Sequence, residues 1–198
     1  MSVGTTPLAT PSTLAGQIWP SRDETRYAAL RALLLVAAGS VLLTLSAKVQ
    51  VPFIPVPMTM QTFVVLVIGA TYGLRLGGAT VAAYLLQGAL GLPVFAGPVA
   101  GLAYMAGPTG GFLMGFLAAA LVMGFLAERG WDRSLGRVAI MMTIGHAVIF
   151  AFGLGWLSTL LPLDKAWAAG VAPFALATIL KTALAVLAMK AGWTFAKR

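Results

Sequence analysis

Of the 198 residues, 60% are apolar and 9% charged, with a mean hydropathy of +0.94; soluble domains carry roughly a quarter charged residues, so this composition describes an integral membrane protein. The absence of cysteine excludes disulfides and thiolate metal sites, and a single His excludes a cluster of imidazole ligands. The formal net charge of +8 suggests nucleic acid at first sight, but in a membrane chain the position of the positive charges decides their meaning.

In chain order, residues 1–26 read as a disordered cytoplasmic tail. Thr5, Thr6, Pro7, Thr10, Pro11, Ser12 and Thr13 provide neither the apolar core nor the leading positive cluster of a signal peptide. Apolar runs then predict six transmembrane helices, at 27–47, 58–74, 76–90, 109–127, 138–161 and 171–189, within one domain spanning 27–190, and 191–198 form a cytoplasmic tail. The second and third runs are short, and Gly73, Gly77 and Gly78 around Arg75 predict a tight turn at a membrane face. With the N terminus inside, the inner segments carry Arg22, Arg26, Arg31, Arg75, Arg129, Arg133, Arg137, Lys190, Lys197 and Arg198, against Lys48 and Lys165 outside. This positive-inside bias places both termini in the cytoplasm. Trp131 and Trp193 then fall at the inner interface and Trp156 and Trp167 near the outer one.

Two outer segments stand out. Residues 91–111, GLPVFAGPVAGLAYMAGPTGG, contain no charge, yet their glycines and prolines forbid one continuous helix. A long uncharged connection of this kind is expected to act as a lid or binding segment over a cavity. The stretch KVQVPFIPVPMTMQTF has Pro52, Pro55 and Pro57 within six residues, which makes it a stiff extended strap, either covering a site or only setting an angle between helices. Thr59, Gln61 and Thr62 after it either cap a helix end or bond a neighbouring helix.

Polar residues inside the apolar runs are the candidate site. Tyr84 and Gln87 share a helix face that must point into the protein, as a helix-to-helix bond or as a cavity wall. Gly107, Gly111, Gly115 and Ala119 recur every fourth residue as a close-packing seam. The N–H groups of 107–111 could also face an anion at the start of that helix. Lys181 sits about ten residues into the last run with no acidic residue in the same helix, a costly placement that makes it a candidate ligand contact, the other reading being a strained snorkel to an interface. Thr178 lies one turn earlier on the same face, and His146 is read as a structural hydrogen-bonding residue.

Catalysis finds no groups in this inventory. Asp23, Glu24, Glu128, Asp132 and Asp164 all fall in tails and loops, which removes aspartyl protease chemistry and most metal catalysis. No GxSG nucleophile motif and no GxxxxGK[ST] phosphate loop occurs. A binding or transport role is expected, with no cofactor and no metal.

VPFIPVPMTMQTF, YLLQGALGLPVFAG and GPTGGFLMGF, in this order between hydrophobic helices, resemble the BioY family across about residues 27–190. BioY proteins are the biotin-binding S components of energy-coupling factor (ECF) transporters. The resemblance implies an all-α six-helix S-component fold in the bacterial cytoplasmic membrane, with a biotin pocket near the outer face. It also implies a transmembrane coupling subunit and two ATP-binding cassette ATPases as partners, against which the loaded S component topples to release the vitamin inward. The AxxxA pattern that serves that docking is matched by Ala28 and Ala32. An acidic residue often precedes the last-helix lysine by three positions; here that position is Thr178, with the lysine retained as Lys181. The ammonium suits either the ureido carbonyl or the carboxylate of biotin, and the ureido role is preferred. Gln61, Tyr84 and Gln87 are placed in the site, with Phe53, Tyr84, Phe95 and Tyr104 as its apolar walls. The alternatives are an S component for another small vitamin, or a non-transport membrane enzyme or scaffold.

Overall fold

The computed structural model describes residues 13–20 and 25–196. The chain runs as α1 (Leu14–Ile18), α2 (Thr25–Lys48), β1 (Gln50–Val51), β2 (Met58–Thr59), α3 (Gln61–Ala89), α4 (Leu102–Met105), α5 (Gly110–Ala127), α6 (Leu135–Leu157), α7 (Leu163–Gly170) and α8 (Ala175–Ala196). Among the described residues five segments are long and apolar enough to cross a membrane: α2, α3, α5, α6 and the stretch Leu163–Ala196. The protein is therefore a multi-pass, mainly helical membrane protein.

The second of these segments is not one straight rod. Gly73 has φ +83°, a conformation open to glycine and strained for other residues, and α3 folds back on itself there. A Cβ on Gly77 would lie 3.1 Å from the Cα of Gly69, so the arms 61–72 and 74–89 touch backbone to backbone. The reversal also satisfies a helix start. The Leu74 N–H donates to Glu128 Oε1 at 2.8 Å, which puts a carboxylate at the N-terminal end of the second arm, where the helix dipole favours it. The turn expected around Gly73 and Arg75 is thus realised at Gly73.

α5 is the hub, packed most extensively on α3 and then on α6. Small residues allow this. Gly69 and Gly124 close the α3–α5 contact, and Gly111 and Gly115 close the α5–α6 contact against Trp156 and Ile149, as the four-residue spacing predicts. α2 packs beside α3 through Gly39, Ser40, Leu43, Ser46 and Ala47, and it presents Leu30, Leu33, Leu34, Val41, Leu42 and Leu45 outward.

Three expectations about the ends of elements are corrected. Part of the expected disordered tail is ordered: Thr13 caps α1, Leu14 is buried against Gly192, and Arg31 of α2 donates to the carbonyls of Trp19 (2.6 Å) and Ala15 (3.0 Å). The rest of that expectation lies outside the described residues. The final helix starts at Ala175, not 171, after the separate helix α7 and a 3₁₀ turn at Ala172–Phe174, and it continues to Ala196 through most of the expected C-terminal tail. Pro173 explains the late start, because it removes a backbone donor and disfavours a continuous α-helix across this point. Lys181 accordingly lies in the second turn of α8.

Candidate functional site

The strap of residues 49–60 closes into a short hairpin, with Gln50 paired to Thr59 and Val51 to Met58. Its prolines occupy the connecting loop, and the pairing anchors the strap at both ends. The uncharged segment 91–111 is held just as firmly. Gly88 O accepts the N–H groups of Gly91 (3.1 Å) and Gly101 (2.8 Å), and Trp156 Nε1 donates to Gly107 O (2.9 Å). Lys48, at the end of α2, donates to Phe95 O (2.7 Å) and Gly97 O (3.2 Å) and so ties the beginning of the strap to the segment. The side chain of Phe95 is fully buried, edge-on to Tyr84 (5.6 Å) and stacked on Tyr104 (5.1 Å).

Beneath these two segments lies a cavity of about 50 Å³. Val56 and Pro57 of the strap and Ala96, Tyr104 and Thr109 of the uncharged segment roof it. Its walls are Phe112, Leu113 and Phe116 of α5, Ile149 and Phe150 of α6, and Phe174 before α8. The aromatic rings adjoin in series: Phe112 to Phe150 at 6.4 Å, Phe150 to Phe174 at 6.1 Å, and Phe174 to Phe53 at 6.3 Å. One flank is polar, made by Thr59 of β2, Gln61 and Thr62 at the start of α3, and Thr178 and Lys181 of α8.

Lys181 is 8% exposed, and its ammonium donates to Thr59 O (2.7 Å) and Thr62 Oγ1 (3.2 Å). Its charge therefore rests on neutral oxygens, which leaves it able to serve an incoming acceptor. Thr59, Gln61 and Tyr84 form a directed chain. The Thr59 hydroxyl donates to Gln61 Oε1 (3.2 Å), Gln61 Nε2 to Tyr84 Oη (2.6 Å), and the Tyr84 hydroxyl to Val94 O (2.9 Å). That chain links the base of the strap to the uncharged segment and fixes the side of the cavity opposite the aromatic rings.

The expected site residues separate into three groups. Lys181, Thr178, Gln61 and Tyr104 line the cavity. Tyr84 and Phe95 stand behind it, the first bonded to Gln61 and the second wedged under Tyr104. Phe53 lies outside, on a wider hollow of about 470 Å³ between the strap and the segment, which shares Pro57, Ala96, Tyr104 and Thr109 with the inner cavity. Gln87 does not join the site: it accepts the Ser40 hydroxyl (2.9 Å) and is the helix-to-helix bond between α2 and α3. His146 is buried off the cavity, with Nδ1 3.0 Å from Met142 O. Ala28 and Ala32 are half-buried on the flank of α2, beside its outward leucine stripe.

Sequence reasoning missed Thr109 and the aromatic wall of Phe112, Phe116, Phe150 and Phe174. It read Thr62 only as a capping or packing residue. The one available signal was the i, i+4 pair Phe112 and Phe116 following the uncharged segment. Gly88 adds a structural dependence: a Cβ there would strike the Phe95 ring. Gly88→Ala should push Phe95 against Tyr104 and weaken ligand binding about tenfold or more, with a smaller loss of thermal stability. Titration and melting on the same preparation check this, and unchanged affinity would uncouple Phe95 from the cavity.

The arrangement offers a cation, threonine hydroxyls and a carbonyl at one side of an apolar, aromatic enclosure, which suits capture of a compact ligand with a polar head. The profile of the BioY family matches residues 20–198. A probable biotin transporter BioY of Pyrococcus horikoshii is 38% identical over 153 residues, covering 77% of this chain and 90% of the relative. The biotin transporter BioY of Thermotoga maritima is 36% identical over 156 residues, covering 77% and 91%. The S component for biotin from an ECF-type ABC transporter superposes with a TM-score of 0.74 at 24% identity, covering 84% of this chain and 92% of that one, and shares its fold. By family profile and by relatives matched over most of their length, the chain belongs to the BioY family.

Proposed function

We propose that this protein captures biotin as the substrate-binding S component of an ECF-type transporter and performs no catalysis itself. The observation that carries the proposal is the Lys181 ammonium, held by neutral oxygens at the edge of an aromatic enclosure under two anchored outer segments. The ureido ring lies at the polar flank: Lys181 donates to its carbonyl, while Thr62 and Thr178 accept its N–H groups. The fused rings and the aliphatic tail occupy the aromatic side. The cavity of about 50 Å³ is far below the roughly 300–1,000 Å³ of small-molecule sites, so entry requires the strap and the uncharged segment to part. Tyr104, Pro57 and Thr109, which separate the cavity from the outer hollow, are the residues that move.

Each arm of α3 is a separate crossing, which gives six, with both termini on the cytoplasmic side of the bacterial cytoplasmic membrane. At about 18 and 24 Å the arms are shorter than the hydrocarbon core of roughly 30 Å. The strap and the uncharged segment therefore sit partly at membrane depth, where irregular backbone is stable only against protein or a cavity. The partners are a transmembrane coupling subunit and two ATPases, with docking on the Ala28 and Ala32 flank of α2.

Calorimetric titration of biotin into the purified protein tests the proposal, with other vitamins in parallel. Near one-to-one binding of biotin alone is expected, and preference for a different vitamin would replace the substrate. Ala32→Leu should spare biotin binding yet reduce cellular uptake severalfold when the energising subunits are present. Normal uptake would remove this flank from docking.

A further inference from the structure

The end of the molecule remote from Lys181 holds a second hollow, of about 140 Å³, between the turn Trp131–Arg133 with the start of α6 and the end of α8. Asp132 lies in its wall, 2% exposed. Its Oδ2 accepts Trp193 Nε1 at 3.1 Å, whereas Oδ1 is buried and has no hydrogen-bond partner. A buried carboxylate oxygen without a donor is costly, and a native site usually supplies one.

Cations share the same wall. Lys190 and Arg133 both line the hollow, with the Arg133 guanidinium 5.0 Å from the Trp193 ring centroid. Ser134 begins α6 without a side-chain capping bond, so the positive end of that helix also adjoins the space. A simple cation would meet repulsion here, and a simple anion would meet Asp132. A zwitterion satisfies both signs. Lys190 and Thr194 also belong to an exposed face of α8 that carries Leu187, Ala191 and Phe195, so the polar hollow adjoins an open apolar surface.

We propose that this hollow binds a phospholipid whose headgroup carries a primary ammonium, as in phosphatidylethanolamine. The ammonium donates to Asp132 Oδ1, the phosphate lies between Lys190 and the start of α6, and one acyl chain follows the α8 face along Leu187 and Phe195. Burial pushes the Asp132 carboxyl up to about 6, against the opposing pull of Trp193, Arg133 and its own backbone N–H, and a seated ammonium favours its ionised form. Choline cannot replace ethanolamine, because its quaternary nitrogen has no N–H to donate.

Native mass spectrometry of the full-length protein in detergent, titrated with phosphatidylethanolamine, phosphatidylcholine and phosphatidylglycerol of matched chains, tests the assignment. One ethanolamine lipid per chain should be retained about tenfold better than the choline lipid, the scale of a charge-assisted hydrogen bond. Asp132→Asn keeps an acceptor for Trp193 and should abolish the preference; Lys190→Ala should weaken both lipids while preserving their ratio. Equal retention of the lipids by the unmodified protein, or an undiminished preference in Asp132→Asn, would overturn the proposal. Should Asp132→Asn fail to fold, stepwise N-methylation of the ethanolamine lipid on the unmodified protein decides: retention should fall with each methyl, and a flat series refutes the ammonium contact. Soluble glycerophosphoethanolamine should compete poorly, and competition equal to the lipid would refute the acyl-chain contact with α8.

Discussion

Lys181→Met should weaken biotin binding by about ten- to a hundredfold while leaving the solubilised protein folded. The estimate follows from losing one hydrogen bond from a charged donor, worth roughly 1.5–3 kcal/mol. Methionine keeps most of the apolar stem and volume, so the packing of α8 is disturbed little. The variant leaves Thr59 O and Thr62 Oγ1 without their donor, but both border a cavity that can admit water. Titration with biotin and with its neutral methyl ester separates the two possible contacts. If Lys181 serves the ureido carbonyl, both ligands lose affinity equally in the variant; if it pairs with the carboxylate, the ester is indifferent to the substitution. Full affinity of Lys181→Met for both ligands would remove this lysine from the site.

The second large effect is on stability. Gly124→Ala should cost about 2–3 kcal/mol and lower the melting temperature by about 5 °C or more. The added Cβ would collide with backbone atoms of Gly73 and Leu74, including Leu74 Cα at 2.5 Å, and no rotamer change can relieve a clash with main chain. The reversal of α3 sits at this contact, so the shift also disturbs the Leu74 N–H bond to Glu128. Gly136→Ala is the matched control, because a Cβ there meets nothing within 4 Å. Melting curves in one detergent compare them directly. Equal melting of Gly124→Ala and the parent would show that α5 and the reversal are not tightly packed in solution.

The membrane segments were legible because apolar length alone identifies them, and the Gly73 turn was legible because glycine beside an arginine interrupts that length. Lys181 was legible for a related reason: a charge inside an apolar run needs an explanation. The aromatic wall was not. Phe112, Phe116, Phe150 and Phe174 are apolar residues in apolar helices, and hydropathy is the same whether a ring faces lipid or a cavity. Gln87 misled for the opposite reason, since a polar side chain on an inward face is equally well satisfied by Ser40 as by a ligand. The start of α8 was placed early because the turn Ala172–Phe174 before it is as apolar as the helix it precedes.

The contact of Lys48 with the carbonyls of Phe95 and Gly97 bears on time more than on equilibrium. It joins the two covers through an ammonium at the rim, while the chain from Thr59 to Val94 joins them at the base. A fastening of this kind makes one opening event release both covers together. It therefore sets how long a captured molecule stays, and an uptake protein working at scarce supply profits from slow escape when its encounter rate is limited by diffusion.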